Sequence, residues 1–179
     1  GKTVLITGAN TGLGFEMARA LAPRGAHLVV AGRNGDKVRS AIERIKAETE
    51  SASLEAGIVD LNSLASVRDF ADAFSKDHDK LDILINNAGM QHRTELENFP
   101  ADAFETLLRT NVSSVFNVGQ AVAKHMVKEI DDSDDRSGHT RRPFSIVNMS
   151  SVNAVVAIED ILAYPTSKGG MNQLTKGMA

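Results

Sequence analysis

The chain contains neither cysteine nor tryptophan, and only one of its 179 residues is a tyrosine. Without cysteine it can form no disulfide framework and no thiolate metal site, which fits a reducing compartment, and we predict no metal site. Its apolar runs, such as residues 28–31, are far too short to span a bilayer. The first residues also lack the charged-then-apolar pattern of a signal peptide. We therefore predict a cytoplasmic protein that has no membrane partner.

The charges of the sequence argue against a nucleic-acid partner. The formal net charge is −3, and no cluster of lysine and arginine is followed by aromatic side chains on which bases could stack. An acidic run, Asp131 to Asp135, is partly balanced by Arg141 and Arg142. We interpret the polar segment Asp131 to Arg142 as a solvated surface loop rather than as a binding site for a partner.

Short apolar runs alternate with amphipathic stretches along the chain. The predicted strands lie at 3–7, 26–31, 54–59, 81–85 and 144–149. The predicted helices lie at 15–22, 36–49, 64–74, 100–128 and from residue 162 onward. Short apolar strands that alternate with helices indicate a parallel sheet covered on both faces. We predict an α/β fold with a doubly wound parallel sheet of at least five strands and helices on both faces.

A glycine-rich segment follows the first predicted strand and precedes the first predicted helix. Its residues are Thr7-Gly8-Ala9-Asn10-Thr11-Gly12-Leu13-Gly14, with glycines in the spacing G-x-x-x-G-x-G. Glycine lets the backbone turn tightly and approach a pyrophosphate without a Cβ in the way. A helix N-terminus adds free N–H groups and the positive end of its dipole. We interpret the segment as the phosphate-binding turn of a Rossmann-type sheet, with a merely tight turn as the alternative.

The residues after the second predicted strand bear on the choice of dinucleotide. In NAD sites an acidic residue at this position bonds the ribose 2′-hydroxyl. Here the strand is followed by Gly32 and Arg33, and a guanidinium suits a 2′-phosphate, which it can bind with two parallel hydrogen bonds. We predict NADP(H) as the preferred cofactor. Asp36 is close enough in sequence to leave NAD(H) open, and a simple surface charge is the alternative for Arg33.

The single tyrosine, Tyr164, lies four residues before Lys168, so a helix would place both side chains on the same face. Ser150 and Ser151 follow the fifth predicted strand, at the sheet edge where a dinucleotide lies in doubly wound folds. Hydride transfer from an alcohol carbon requires a base for the hydroxyl proton. A phenol ordinarily ionises near pH ~10, and an ammonium ~4.5 Å away would stabilise a phenolate by about 4 kcal/mol at an effective dielectric of ~20. A packed tyrosine beside a solvated lysine, with a loop-capping serine, is the alternative.

These motifs together resemble the short-chain dehydrogenase/reductase family. The pattern TGxxxGxG comes first, Asn-Asn-Ala-Gly at 86–89 follows the fourth predicted strand, a serine follows the fifth, and Tyr-x-x-x-Lys comes last. The resemblance implies that Ser151, Tyr164 and Lys168 are the catalytic residues, with Ser151 as a hydrogen-bond donor that orients the substrate oxygen. It also implies that Asn111, in the long predicted helix, holds a proton-relay water. A buried structural amide is the alternative for Asn111.

The same resemblance implies how the cofactor is held. Asp60 would contact the adenine, and Asn87 would help to fix the turn beside the cofactor. These positions run from the first predicted strand to the last predicted helix, so the resemblance covers essentially the whole chain. The residues that it implies for cofactor binding are Gly8, Asn10, Thr11, Gly12, Leu13, Gly14, Arg33, Asp60, Leu61, Asn87, Ala88, Gly89, Tyr164 and Lys168.

Two parts of the chain resemble different branches of the family. Met-Gln-His-Arg at 90–93 resembles the corresponding stretch of gluconate and deoxygluconate dehydrogenases. The first third of the chain, including Arg33 and Asn34, resembles the retinol and steroid branch. We favour a sugar acid or another polyhydroxy compound as substrate, because residues beside the nicotinamide bear on the substrate more directly than residues beside the adenine. Arg93 is a candidate partner for a substrate carboxylate, with a solvent-facing arginine as the alternative.

The predicted activity is an NADP(H)-dependent interconversion of a small-molecule secondary alcohol and a ketone. The alternative is a dinucleotide-binding module without turnover, or a truncated fragment. Members of the family usually continue beyond the catalytic helix with two further strands and a substrate-covering segment, whereas the sequence ends at Ala179. We therefore expect a single dinucleotide-binding domain over residues 1–179 without that C-terminal part. In the family that part often builds a subunit interface, and a homo-oligomer is compatible with the resemblance.

Overall fold

Five strands form one parallel sheet in the part of the chain that the computed structural model describes, residues 1–132 and 144–179. The strands are β1 (Thr3–Thr7), β2 (His27–Gly32), β3 (Ser53–Ile58), β4 (Ile83–Asn86) and β5 (Ser145–Asn148). Their order across the sheet is β3-β2-β1-β4-β5, and all neighbours are parallel. The order changes direction between β1 and β4, so a crevice is expected beyond their carboxyl ends, where doubly wound sheets bind ligands.

Helices connect the strands and cover the sheet. They are α1 (Gly12–Leu21), α2 (Gly35–Glu48), α3 (Leu64–Asp77), α4 (Ala101–Leu108), α5 (Ser114–Asp132) and α6 (Ala163–Met178). Two of them begin at a capping side chain: Asn34 accepts the N–H of Lys37 before α2, and Ser63 accepts the N–H of Ser66 before α3. Each cap satisfies a backbone donor that the first helical turn leaves without an intrahelical partner. Within the described residues, none of the helices combines the length and the apolar character needed to cross a bilayer.

The side chains of β1 alternate between two apolar layers. Val4 and Ile6 pack in a buried cluster with residues of α1 and α2, whereas Leu5 packs with residues of α3 and α5. All five residues of β1 are buried, as expected for the central strand of a sheet that carries helices on both faces. The predicted α/β fold with a doubly wound parallel sheet is therefore confirmed.

The boundaries of the elements differ from the predictions by up to four residues. A larger difference concerns the long helix predicted over 100–128, because a π-helical turn, Arg109–Ser113, separates α4 from α5. Single π-helical turns inside α-helices are rare and often accompany functional sites. The turn buries Asn111 completely. Residues 133–142 of the surface loop predicted at Asp131 to Arg142 lie outside the described residues.

Candidate active site

The residues predicted for the site lie at one edge of the sheet. The glycine-rich turn follows β1, Arg33 follows β2, and the loop with Asp60 follows β3. Asn87 directly follows β4, and Ser151 lies shortly after β5. Because all five strands are parallel, these segments meet at the carboxyl edge. The structure therefore brings the predicted cofactor-binding and catalytic positions to the same side of the molecule.

The glycine-rich turn packs directly against the end of β4. Gly8 and Gly12 have left-handed backbones, with φ of 64° and 57°, a region that favours glycine. A Cβ on Gly8 would lie 2.9 Å from Cα of Ala88. A Cβ on Gly14 would lie 2.6 Å from the carbonyl oxygen of Gly8 and would overlap Nδ2 of Asn87. Glycine is therefore what allows the turn and the segment after β4 to approach so closely.

Thr7 and Asn87 connect the ends of β1 and β4. Thr7 Oγ1 accepts the backbone N–H groups of Asn87 and Ala88, at 3.0 and 3.1 Å. Asn87 Nδ2 donates to the carbonyl oxygens of Thr7 and Gly8, at 3.0 and 3.3 Å. These are contacts expected of a residue that fixes the turn. The sequence analysis assigned no role to Thr7, although it begins the TGxxxGxG motif.

The outer part of the turn is open to solvent. Thr11, Gly12 and Leu13 are exposed, Leu13 to 58%. They lie at the start of α1, where the first N–H groups of a helix have no intrahelical partners. The structure thus leaves backbone donors and the positive end of the α1 dipole accessible to an anionic group.

Arg33 and Asp36 differ in their partners. Arg33 is exposed directly after β2 and forms no ion pair with any residue that the structure describes. Asp36 Oδ1, in contrast, accepts a hydrogen bond from Arg39 Nη2 at 2.7 Å. Asn10 lies close to the end of β2, since a Cβ on Gly32 would be 2.8 Å from Asn10 Oδ1. Of the two candidate ribose contacts, only the Arg33 guanidinium is therefore without an ionic partner among the described residues.

Asp60 organises the loop that follows β3. Its Oδ1 accepts the N–H of Asn62 at 3.0 Å, and its own N–H donates to Ser66 Oγ at 3.0 Å. Asp60 and Leu61 are both partly buried at the carboxyl edge. The adenine contact that the family resemblance implies for Asp60 stays a prediction.

Lys168 is buried at this edge, with 4% of its surface exposed. Its Nζ donates to the carbonyl oxygen of Met149, just after β5, at 2.7 Å. The same Nζ lies 5.6 Å from the ring centroid of Tyr164 and 3.7 Å from the position that a Cβ on Gly89 would take. Burial lowers the pKa of Lys168, because low-dielectric surroundings disfavour the ammonium. The structure thus places the ammonium between the ends of β4 and β5, with the tyrosine ring beside it.

Asn111 joins the loop after β4 to α6. Its Oδ1 accepts the N–H of Met90 at 2.8 Å, and its Nδ2 donates to the carbonyl oxygen of Met90 at 2.9 Å. Nδ2 also donates to Ser167 Oγ at 3.0 Å, and this hydroxyl donates to the carbonyl oxygen of Tyr164 at 2.7 Å. Both N–H groups of the amide are therefore used, and the contacts position the helix that carries Tyr164 and Lys168. The sequence analysis did not identify Met90 or Ser167 as partners.

Ser151 is held by a neighbour that the sequence analysis missed. Its Oγ donates to Asn153 Oδ1 at 3.0 Å and accepts the N–H of Asn153 at 3.2 Å. Asn153 Nδ2 is buried and makes no hydrogen bond with the described residues. The short helical turn Val152–Ala154 packs against α6. Nothing in the sequence distinguishes Asn153 except its closeness to Ser151.

The family model for short chain dehydrogenases matches residues 2–179. The chain belongs to the short-chain dehydrogenase family. The matched region contains the TGxxxGxG, Asn-Asn-Ala-Gly and Tyr-x-x-x-Lys motifs, so the resemblance that these motifs indicated is confirmed.

Individual members of the short-chain dehydrogenase family match the chain closely. Gluconate 5-dehydrogenase from Gluconobacter oxydans is 40% identical over 179 residues, which cover 100% of this chain and 64% of that relative. A gluconate 5-dehydrogenase from Burkholderia cenocepacia, solved in complex with NADP and tartrate, is 37% identical with a TM-score of 0.85, and the match covers 99% of this chain and 64% of that one. Retinol dehydrogenase 12 from Bos taurus is 38% identical over 154 residues, 85% of this chain and 44% of that relative. The resemblance to gluconate dehydrogenases is thus confirmed, and the chain spans slightly less than two thirds of their length.

Proposed function

We propose that the protein is an NADP(H)-dependent oxidoreductase that interconverts a secondary alcohol and a ketone, with Tyr164 as the general acid and base. The observation that carries the proposal is the position of the Tyr164 ring beside the buried ammonium of Lys168, at the edge of the sheet where the glycine-rich turn also lies. Perturbed ionisable groups in a crevice are typical of catalytic sites. The burial of Lys168 is difficult to explain by stability alone, since an uncompensated buried charge is unfavourable.

The residues at the carboxyl edge fit a dinucleotide. The glycine-rich turn has no room for a Cβ at Gly8 or Gly14 and exposes the N-terminus of α1, so it would hold the pyrophosphate. Arg33 would bind the 2′-phosphate of NADP, and the NADP-bound relative from Burkholderia cenocepacia supports that choice. Asp36 is the weaker candidate for a ribose contact, because Arg39 engages its carboxylate. When NADP⁺ is bound, its nicotinamide supplies the acceptor for the hydride.

Tyr164 would hold or release the proton of the reaction. In the oxidative direction, the alcohol carbon loses a hydride with both electrons of the C–H bond, and the hydroxyl proton passes to the Tyr164 phenolate as the C=O bond forms. In the reductive direction, the phenol returns that proton to the substrate oxygen. The ammonium of Lys168 would favour the phenolate electrostatically, while the Met149 carbonyl oxygen holds it in place.

Ser151 would donate a hydrogen bond to the reacting oxygen of the substrate. In the structure its hydrogen points to Asn153 Oδ1, whereas its oxygen is held by the N–H of Asn153. Rotation of the hydroxyl hydrogen alone would redirect the donor without moving the oxygen. We therefore assign Asn153 as a positioning residue for Ser151.

Asn111 combines a structural role with a position suited to proton relay. The space over Gly89 is bordered by two polar atoms: a Cβ there would lie 3.4 Å from Asn111 Oδ1 and 3.7 Å from Lys168 Nζ. A water molecule in this space could bond both atoms and carry protons between Lys168 and solvent. This arrangement supports the relay role without conflicting with the hydrogen bonds that Asn111 makes to Met90.

The substrate class follows from the relatives and from the loop after β4. The gluconate 5-dehydrogenases match essentially the whole of this chain, so we propose a sugar acid or a related polyhydroxy compound. Arg93, an exposed residue in the loop after β4, is the candidate partner for a substrate carboxylate.

The replacement of Tyr164 by Phe tests the proposal. NADPH oxidation by the purified protein is measured with keto-gluconates, aliphatic ketones and retinal, and NADPH affinity is measured separately. We expect turnover to be highest with the keto sugar acids and Tyr164→Phe to reduce it about 10²–10⁴-fold, with NADPH affinity nearly unchanged. Gln173→Ala, an exposed change on the same helix, serves as the control and should keep wild-type turnover.

Two results would contradict the proposal. Turnover that survives in Tyr164→Phe would remove the phenol as acid and base. Tight NADPH binding without turnover of any ketone by the wild type would favour the second candidate function, a dinucleotide-binding module.

A further inference from the structure

We propose that His27, Glu55 and His78 form a binding site for one Zn²⁺ ion. His27 is the first residue of β2, Glu55 lies in β3, and His78 directly follows α3. His27 pairs in register with Ser53, so Glu55, two residues further along β3, lies on the same face of the sheet. This position is at the amino edge of β2, opposite the edge that carries Arg33. The inference therefore does not rest on the proposed function.

The three candidate ligand atoms converge on one point. Glu55 Oε2 lies 3.3 Å from His27 Nε2 and 3.0 Å from His78 Nε2, and the two imidazole nitrogens lie 3.4 Å apart. Two ligands bound to zinc at about 2.0–2.1 Å in a tetrahedron are themselves about 3.3 Å apart. The observed triangle thus has the size of one face of a tetrahedral zinc site.

The hydrogen bonds of the rings fix the tautomer of His78 and allow the matching tautomer of His27. His78 Nδ1 lies 3.2 Å from the carbonyl oxygen of Phe74. A carbonyl oxygen can only accept, so Nδ1 carries the hydrogen, and Nε2 of a neutral ring presents a lone pair to Glu55. His27 Nδ1 lies 2.7 Å from Ser53 Oγ, a hydroxyl that can either accept a hydrogen from Nδ1 or donate one to it. When Ser53 accepts, Nε2 of a neutral His27 also presents a lone pair. In that tautomer of His27 all three facing atoms are acceptors, and a cation between them would relieve their mutual repulsion.

The surroundings of the triangle resemble the support that metal-binding histidines receive in proteins, where the second ring nitrogen is fixed by an outer hydrogen bond. The ring of His78 also stacks on Phe74, with centroids 4.2 Å apart and planes inclined by 10°. The side chains of His27 and Glu55 are 32% and 44% exposed, compared with 12% for His78. Solvent can therefore reach the triangle from one side and supply a fourth ligand.

The donor set selects the class of ion. Two imidazole nitrogens and one carboxylate oxygen are ligands of zinc and related transition metals, whereas magnesium and calcium prefer oxygen ligands alone. The ion would tie β2 and β3 to the end of α3. We expect it to stabilise the fold rather than to take part in turnover.

Metal titration of the purified, chelator-treated protein tests the site. Calorimetric titration with ZnCl₂ should show one equivalent bound, and CoCl₂ should give the intense visible absorption of tetrahedral Co²⁺. Zinc at about 100 times its Kd should raise the Tm by roughly 5–10 °C. Both His78→Gln and Glu55→Gln should lower zinc affinity at least ~100-fold, and Ser53→Ala should lower it about 10–100-fold through His27.

Matched controls separate this site from other zinc ligands. His92→Gln and Glu43→Gln change the same residue types at positions outside the triangle and should keep wild-type zinc affinity. If His78→Gln fails to fold, Glu55→Gln, at a partly exposed position of β3, tests the same ion. Absence of zinc binding would mean that hydrogen bonds alone hold the three side chains together. Binding that survives both substitutions would place the ion elsewhere. Either result would overturn the proposal.

Discussion

Lys168 is a buried charged residue at the proposed active site. The residue is 4% exposed, and burial lowers its pKa. Its ammonium has a carbonyl oxygen, that of Met149, as its hydrogen-bond acceptor within 3 Å. A buried cation that lacks a carboxylate partner adds little to stability. Its position beside Tyr164 supports the catalytic role that we propose for it.

Substitution of Lys168 by Met should separate activity from stability. We expect turnover to fall at least ~100-fold, because the phenolate of Tyr164 loses its neighbouring cation. The native state releases the Lys168 proton at lower pH than the unfolded state, so the free energy of unfolding of the wild type should rise with pH in the window between the two pKa values. Lys168→Met should lack that rise, as measured by urea denaturation between pH 7 and pH 10.5.

An exposed lysine on the same helix provides the control. Lys176→Met should keep both the turnover and the pH dependence of the wild type. A parallel pH dependence in Lys168→Met and the wild type would show that Lys168 is not the group whose pKa burial lowers.

The places of the candidate site residues in the fold were more predictable than their hydrogen-bond partners. The positions of Arg33 and Asn87 follow from topology, because parallel strands deliver their carboxyl ends to one edge. The bond of Ser151 to Asn153 depends on the conformation of a short turn, which no spacing pattern records. The sequence also gives no sign of the zinc ligands proposed above, because His27 and His78 are 51 residues apart and form no short metal-binding motif.

The glycine-rich turn requires glycine at position 14, and an alanine substitution tests this requirement. Gly14→Ala should displace the side chain of Asn87 and the carbonyl group of Gly8. We expect a loss of about 1–3 kcal/mol in the free energy of unfolding from this overpacking, and at least a ~10-fold weaker affinity for NADPH. Thermal denaturation and fluorescence titration measure the two effects.

A glycine at the other edge of the sheet separates local from global effects. Gly25 also has a left-handed backbone, with φ of 74°, but a Cβ there would meet nothing within 4 Å. Gly25→Ala should cost about 1–2 kcal/mol of stability through backbone strain and leave NADPH affinity unchanged. Equal losses of affinity in Gly14→Ala and Gly25→Ala would show that the contacts of the turn are not specific to the cofactor.

The sequence predicted α3 better than the long helix of 100–128, and the difference has a physical reason. The apolar period locates α3 and its neighbours well, since burial of one face is what stabilises them. The same period runs through the long helix of 100–128 without marking the π-helical turn at Arg109–Ser113. Asn111 in that turn bonds to Met90 and Ser167, which lie in other elements, and no local period in the sequence records such contacts.

At the scale of the whole molecule, the two proposed sites lie at opposite edges of the sheet. The carboxyl edge gathers the segments after all five strands, which is where the dehydrogenase site is proposed. The amino edge contains the triangle of His27, Glu55 and His78. Strand β2 reaches both, because His27 begins it and Arg33 follows it. An ion at one edge would therefore stabilise the strand that leads to the proposed 2′-phosphate contact at the other.

Cofactor binding should stabilise the whole molecule, because the proposed contacts come from the segments after β1, β2, β3 and β4. At about 100 times its Kd, NADPH should raise the Tm by roughly 5–10 °C. Arg33→Ala should weaken NADPH binding by about 10–100-fold, since a charge-assisted pair with the 2′-phosphate is lost, while NADH binding stays nearly constant. Arg24→Ala, an exposed arginine at the amino edge, should change neither. If thermal shifts with both nucleotides fall equally in Arg33→Ala, the guanidinium does not read the 2′-phosphate, and the preference for NADP(H) must arise elsewhere.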